Sequence, residues 1–135
     1  MAKPKFPHFT ADEAEVLEEF IKRGIIKGEW KFDVRLPSEK AKYIEHYPEP
    51  WKSMWIALTS KRIDALCEDE NYIHIIEVKR VMLHSGIGQL LMYKYLYEEH
   101  FKPKKPIKLW LIAKYHDPDV VKLCRQMGIN TWWLI

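Results

Sequence analysis

The spacing of apolar residues predicts an amphipathic helix near the start of the chain, in the segment TADEAEVLEEFIKRG. Thr10 is a candidate N-cap with Glu13 as its capping-box partner, and Gly24 ends the helix. The apolar stripe consists of Val16, Leu17, Phe20 and Ile21. At about 100° per residue, Glu13 falls near the middle of this stripe, where a carboxylate is unexpected.

Alternating or continuous apolar runs predict β-strands in the rest of the chain. The segment EWKFDVRL alternates apolar and charged residues over a full strand length. The runs MWIALTSKRIDAL and YIHIIEVKR, joined by the acidic turn CEDEN, predict an antiparallel hairpin. Two further strands are expected in IKLWLIAKY and INTWWLI. Residues 38 to 53 contain two of the eight prolines and predict a short helix followed by a loop.

Two more segments have the period of a helix. The segment GIGQLLMYKYLYEEHF predicts a long helix that ends before Pro103. The segment DPDVVKLCRQMG predicts a helix that Asp117 and Pro118 open and Gly128 closes. Because strands and helices alternate in the second half and a hairpin lies in the first, we expect an α/β fold with a mixed sheet. Residues 1–135 are expected to form a single domain.

Composition excludes several classes of protein. With 47% hydrophobic and 30% charged residues, the 135-residue chain is too apolar for a disordered protein. The two cysteines, Cys67 and Cys124, cannot form a disulfide framework or a four-thiolate zinc site. No apolar run approaches the roughly 20 residues of a bilayer span, so a soluble, cytoplasmic protein is expected. The net charge of +3 is compatible with a phosphate-rich partner but does not require one.

The run YIHIIEVKR carries charges on an otherwise apolar strand. Glu77 and Lys79 are two residues apart and therefore project from the same face of the strand. Removing each ion from water costs several kcal/mol unless it is paired or bound to a metal. The pair therefore indicates either a functional site or, alternatively, a solvent-exposed sheet face with an ordinary ion pair.

Asp64 lies on the other strand of the predicted hairpin, where it can approach Glu77. Two adjacent carboxylates repel each other and are stable together mainly when a hard cation bridges them. Oxygen ligands of this kind suit Mg²⁺ or Mn²⁺ better than zinc. A lysine beside such a cation can orient a water molecule or stabilise a developing negative charge, as phosphodiester hydrolysis requires.

These residues resemble the motif of the PD-(D/E)XK nuclease superfamily. The match consists of Asp64 followed by Glu77-Val78-Lys79. The resemblance implies a restriction-endonuclease-like core with helices on both faces of a mixed sheet. It further implies that Asp64, Glu77 and the backbone carbonyl of Val78 bind Mg²⁺, for which Mn²⁺ can substitute. Lys79 would assist the attack by water.

The next helix extends the resemblance. Gln89 and Tyr93 are similar to the QxxxY motif of the exonuclease-like branch, and their spacing places both on one helix face as further catalytic candidates. A glutamate in the first helix, here Glu13, resembles the one that completes the metal site in archaeal Holliday-junction resolvases. The alternative is that Glu13 serves only as the capping-box acid.

The resemblance implies a metal-dependent endonuclease that acts on DNA. A homodimer is expected, because cutting two strands or a four-way junction benefits from two symmetric sites. Junction resolution, nicking, restriction-like cleavage and end processing all remain open. Two alternatives belong to other classes: a catalytically inactive nuclease fold that binds nucleic acid or protein, and a structural protein whose charges are surface pairs. The scarcity of Asn, Gln, Ser and Thr is typical of thermophiles, and an archaeal or virus-encoded source is expected.

Some residues are left without a firm assignment. Residues 37 to 60, with Trp51 and Trp55, could supply substrate contacts or a dimer arm. Several basic residues could follow a nucleic-acid backbone or could be ordinary solvated cations. They are Arg80, Lys102, Lys104, Lys105 and Lys108.

Overall fold

A computed structural model describes residues 8–135 of the chain. Its helices and strands follow the predicted order along the chain, with one additional helix. In chain order they are α1 (Ala11–Lys22), β1 (Glu29–Leu36), α2 (Lys40–Tyr43), α3 (Trp51–Thr59), β2 (Lys61–Glu68), β3 (Ile73–Val81), α4 (Ser85–Phe101), β4 (Ile107–Tyr115), α5 (Pro118–Gln126) and β5 (Ile129–Trp133).

The strands form a mixed sheet in the order β1-β2-β3-β4-β5. The first three strands are antiparallel, with Trp30 opposite Cys67 and Ala65 opposite Ile76. The last three are parallel because α4 and α5 carry the chain back across the sheet before each new strand. The predicted hairpin and the predicted mixed sheet are both confirmed.

Helices cover both faces of the sheet, as expected. On one face α1 buries Val16, Leu17 and Phe20 completely. The Phe20 ring packs edge-to-face against three tryptophans. These are Trp30, Trp110 and Trp132, at centroid distances of 6.4, 5.4 and 5.3 Å. On the opposite face α4 and α5 pack on a second cluster that includes Ile75, Leu111 and Cys124. No helix in residues 8–135 is long and apolar enough to span a membrane.

The strand predicted from residue 54 onward is wrong in its first half. Residues 54 to 59 belong to helix α3, and strand β2 begins only at Lys61. Trp51, Met54 and Trp55 recur at helical spacing directly after Pro50, which occupies the N-cap position. All three side chains are exposed. Within residues 8–135, the segment has no neighbouring strand that would favour an extended conformation for its β-prone residues.

Gly86 allows the first turn of α4 to lie close against the sheet. A Cβ atom at this position would lie 2.7 Å from Cδ1 of Leu111 on β4. Such a separation is shorter than van der Waals contact, so a larger residue would push the helix outward. The glycine therefore sets the distance between the sheet and the later residues of α4, including Gln89 and Tyr93.

The turn between β2 and β3 is built around Asp69. Its Oδ1 accepts the backbone N–H groups of Asn71 and Tyr72 at 2.8 and 2.6 Å, and its Oδ2 lies 2.8 Å from Nε2 of His74. Nδ1 of His74 accepts a hydrogen bond from Nε1 of Trp110 at 3.0 Å, which leaves the proton on Nε2 for Asp69. These hydrogen bonds, led by the one from His74, lower the pKa of Asp69 to about 2.

We expect Asp69→Asn to lower the stability of the protein at neutral pH. We also expect the stability of this variant to fall less than that of the unsubstituted protein as the pH is lowered. Because the folded-state pKa lies below the ordinary value of 3.8, the carboxylate stabilises the fold above about pH 4. That contribution disappears as the pH falls from about 4 to 2. Urea unfolding at pH 2 to 7 measures this difference, with Glu70→Gln, an exposed neighbour in the turn, as the control. An acid dependence identical to that of the unsubstituted protein would contradict this role.

Candidate active site

Two carboxylates meet on neighbouring strands of the sheet, on the face covered by α4. In the β2–β3 pairing Ala65 is opposite Ile76, and the next positions along the strands are Asp64 and Glu77. Oδ2 of Asp64 accepts the backbone N–H of Val78 at 2.9 Å, which fixes the carboxylate against β3. The structure thus brings Asp64, Glu77 and Val78 together, as the hairpin pattern predicts.

Glu77 is buried without enough partners for its charge. Only 3% of the residue is exposed, and its Oε2 has no hydrogen-bond partner in the part of the chain that the structure describes. Oε1 lies 3.6 Å from Nζ of Lys79, whose side chain remains 25% exposed. A buried carboxylate with one free oxygen is costly for the fold, and such a cost is typical of functional sites.

Burial and the neighbouring Asp64 together raise the proton affinity of Glu77. Burial, followed by the charge of Asp64, raises the pKa of Glu77 to about 9. Burial also raises the pKa of Asp64, to which the charge of Glu13 contributes. The interaction between the two carboxyl groups raises the pKa of Glu77 and lowers that of Asp64, so the pair retains a proton at neutral pH. Both groups can ionise together only when a cation compensates their charge.

Gln89 and Tyr93 approach the carboxylate pair from α4. Burial raises the pKa of Tyr93, and the charge of Glu77 raises it further, which places the phenol beside the pair. Gln89 acts in the opposite direction and lowers the pKa of the phenol. Oε1 of Gln89 is buried and, within residues 8–135, accepts no hydrogen bond. The structure therefore assembles both residues of the QxxxY pair with Glu77, and it leaves a second acceptor oxygen free.

Glu13 forms the predicted capping box. Its carboxylate accepts the backbone N–H of Thr10 at 2.9 Å, and the Thr10 hydroxyl accepts the N–H of Glu13 at 3.2 Å. Its charge still reaches Asp64, whose pKa it raises. In the described residues, no three His, Cys, Asp or Glu side chains are grouped closely enough to hold a metal ion, so Glu13 does not join the carboxylate pair in this structure.

The donor set of this site suits a hard divalent cation. It offers the carboxylates of Asp64 and Glu77, and Oε2 of Glu77 is buried and lacks a hydrogen bond to any described residue. Oxygen donors of this type are the preferred ligands of Mg²⁺ and Mn²⁺. The residues present therefore fit the metal that the sequence predicts, with Asp64 and Glu77 as side-chain ligands.

Three of the basic residues considered from sequence have partners within the chain. Arg80 pairs with Asp12 at 2.9 Å, and Lys105 pairs with Glu68 at 2.7 Å. Lys108 lies over the Tyr72 ring, 4.1 Å from its centroid. These contacts indicate structural roles for the three cations.

Sequence reasoning missed a second group of cations, at the ends of β1 and β2 nearest to Asp64. The group contains Arg35, Lys40, Lys61 and Arg62. The signal was present in the segments RLPSEKAK and SKR, which flank the proline-containing excursion. It becomes meaningful only with the pairing of β1 and β2, in which Arg35 lies directly opposite Arg62.

The chain matches no known protein-family model and no curated protein sequence. Among solved structures, it is similar to EndoMS in a complex described as EndoMS-dsDNA2, with a TM-score of 0.52 and 20% sequence identity. The similarity covers 99% of this chain but only 48% of the EndoMS chain, so this protein spans about half the length of its structural neighbour. The likeness concerns the fold, and it supports the predicted α/β architecture with a mixed sheet between helices, which the strand order confirms.

Proposed function

We propose that this protein is a divalent-metal-dependent DNA endonuclease that hydrolyses phosphodiester bonds. The observation that carries the proposal is the buried Asp64–Glu77 pair, with one Glu77 oxygen free of hydrogen bonds and Lys79 beside it. A fold shared with EndoMS, which was solved with double-stranded DNA, supports DNA as the partner. A purely structural role gives no reason to keep two repelling carboxylates in a buried position.

Each residue of the site has a distinct chemical part in this proposal. Asp64, Glu77 and the Val78 carbonyl would hold Mg²⁺ or Mn²⁺, which stabilises negative charge on the phosphate during attack by water. Lys79 is a hydrogen-bond donor only, and it orients the attacking water and balances the developing charge. Water would add to phosphorus as the P–O3′ bond breaks, with the water losing a proton and the O3′ leaving group gaining one. The products would be a 5′-phosphate and a 3′-hydroxyl, as the resemblance to PD-(D/E)XK nucleases implies.

The QxxxY pair supports the carboxylates. Tyr93 is buried and contacts Glu77, so it fixes the orientation of that side chain. Gln89 has a free Oε1 and can accept a hydrogen bond from the attacking water. Glu13 contributes negative charge near Asp64, and a change of the capping rotamer would be needed before it could act as a third ligand.

Cutting both strands of a duplex or a four-way junction benefits from two symmetric active sites. A homodimer supplies them by symmetry, so we include this assembly in the proposal. Residues 8–135 contain one buried carboxylate pair of this kind, so each copy of them would contribute one active site.

The test is cleavage of four DNA substrates under defined metal conditions. Supercoiled plasmid, linear duplex, single strands and a four-way junction are each incubated with Mg²⁺, with Mn²⁺ or with EDTA. We expect cutting with either metal and none with EDTA, and the substrate cut fastest identifies the preferred DNA structure. Binding without cutting of any substrate would instead support the alternative of a catalytically inactive nucleic-acid-binding module.

A further inference from the structure

A basic cavity lies beside the carboxylate pair, between the end of β1, helix α3 and the start of β2. Its volume is about 680 Å³. Four cationic residues line it, and no described acidic residue does. These are Arg35, Lys40, Lys61 and Arg62.

The cations in this cavity are crowded in a way that opposes folding. Arg35 and Arg62 are directly opposite each other in the antiparallel β1–β2 pair, an arrangement in which like charges destabilise a sheet. Burial and the nearby charge of Lys61 lower the pKa of Lys40. The fold therefore concentrates positive charge here, although separating these groups would be more favourable.

Most of these charges lack an anionic partner. Arg62 forms an ion pair with Asp33 at 3.2 Å. Arg35, Lys40 and Lys61 form no ion pair with any residue in the described part of the chain. The Lys40 ammonium donates to the backbone oxygen and the hydroxyl of Thr59, which are neutral acceptors that fix its position without balancing its charge.

The cavity is adjacent to the proposed site of hydrolysis. Arg62 and Asp64 are two residues apart on β2, about 7 Å along the strand. Arg62 faces the cavity, whereas Asp64 belongs to the carboxylate pair. An extended polyanion can therefore occupy both places at once.

We propose that this cavity binds a backbone phosphate of the nucleic-acid strand whose neighbouring phosphodiester lies at Asp64 and Glu77. The inference rests on the proposed function for the identity of the polyanion. Guanidinium and ammonium groups provide the charge-assisted hydrogen bonds that phosphate oxygens accept. A site that binds an anion is expected to have crowded cations and no carboxylates, and the described lining of the cavity has both features.

The test measures DNA binding in EDTA, where no cutting is expected. Arg35→Gln/Lys61→Gln removes two charges from the cavity, and Lys122→Gln/Arg125→Gln removes two from the exposed face of α5 as a matched control. By fluorescence anisotropy with labelled duplex and single-stranded oligonucleotides, we expect at least about tenfold weaker binding for the cavity variant. The slope of log K against log salt should fall by about 1 to 2. The control should change much less.

Thermal unfolding separates binding from damage to the fold. Because the Arg35–Arg62 repulsion is removed, the cavity variant should be as stable as the unsubstituted protein or more stable. Should the double variant fail to fold, Arg35→Gln alone, at an exposed position, gives the same comparison with a smaller effect.

The competing results are distinguishable. Equal DNA affinity of the cavity and α5 variants would overturn the inference. So would a cavity variant that loses stabilisation by inorganic phosphate but binds DNA normally, since the cavity would then hold free phosphate. If the unsubstituted protein cuts no DNA but the cavity variant still binds less tightly, the nuclease proposal fails while the phosphate site stands.

Discussion

Glu77→Gln is expected to stabilise the metal-free protein above neutral pH and to abolish its stabilisation by Mg²⁺. The pKa of Glu77 is about 9 in the folded protein and 4.5 by its ordinary value. The folded state therefore keeps a proton that the unfolded chain releases, and stability declines as the pH rises from about 4.5 to 9. Glutamine imitates the protonated acid, so the variant avoids this decline. At about 1.4 kcal/mol per pH unit above pH 4.5, we expect a gain of up to about 5 kcal/mol at pH 8.

Thermal unfolding between pH 5 and 9, in EDTA and with added Mg²⁺, checks this prediction. Mg²⁺ should stabilise the unsubstituted protein more at high pH, because the free-energy cost of displacing the shared proton is smaller there. Glu18→Gln, at an exposed position of α1, removes one carboxylate elsewhere and should leave both responses unchanged. A metal-free Glu77→Gln protein that is less stable than the unsubstituted one at pH 8 would show that the site does not destabilise the fold. An unchanged response to Mg²⁺ would exclude Glu77 as a ligand.

The carboxylate pair could be predicted from sequence because it depends on local rules. Alternation along a strand places Glu77 and Lys79 on one face, and a short acidic turn brings Asp64 onto the neighbouring strand. The helical spacing of Gln89 and Tyr93 likewise fixes their common face. Within each element, these relationships hold whatever the rest of the chain does.

Helix α3 and the basic cavity depend on longer-range information. Residues 54 to 59 are apolar and β-prone, and a preference of this kind is decided by the neighbours available in the fold. The excursion between β1 and β2 provides no strand for them to pair with, so the local helix forms. Arg35 and Lys61 are separated by this excursion, and only the β1–β2 register brings them to one cavity.

Lys79→Ala should reduce the rate of metal-dependent cleavage by about 10²- to 10⁴-fold, the range expected when a group that orients or polarises water is removed. Nζ of Lys79 is 3.6 Å from Oε1 of Glu77, and 25% of the Lys79 side chain is exposed to solvent. The variant should still be stabilised by Mg²⁺, because Asp64 and Glu77 remain, whereas Glu77→Gln should not.

The adjacent residue on β3 gives a matched control for the loss of one positive charge. Arg80 projects from the opposite face of the sheet, where it pairs with Asp12 on α1 at 2.9 Å and keeps 65% of its side chain exposed. Arg80→Ala removes the same formal charge one residue away, so it should change the cleavage rate by no more than a fewfold. Equal losses for the two variants would indicate a general electrostatic effect on DNA binding, and they would remove Lys79 from the proposed chemistry. A large loss confined to Lys79→Ala, with Mg²⁺ binding retained, requires that its ammonium act at the reacting phosphate.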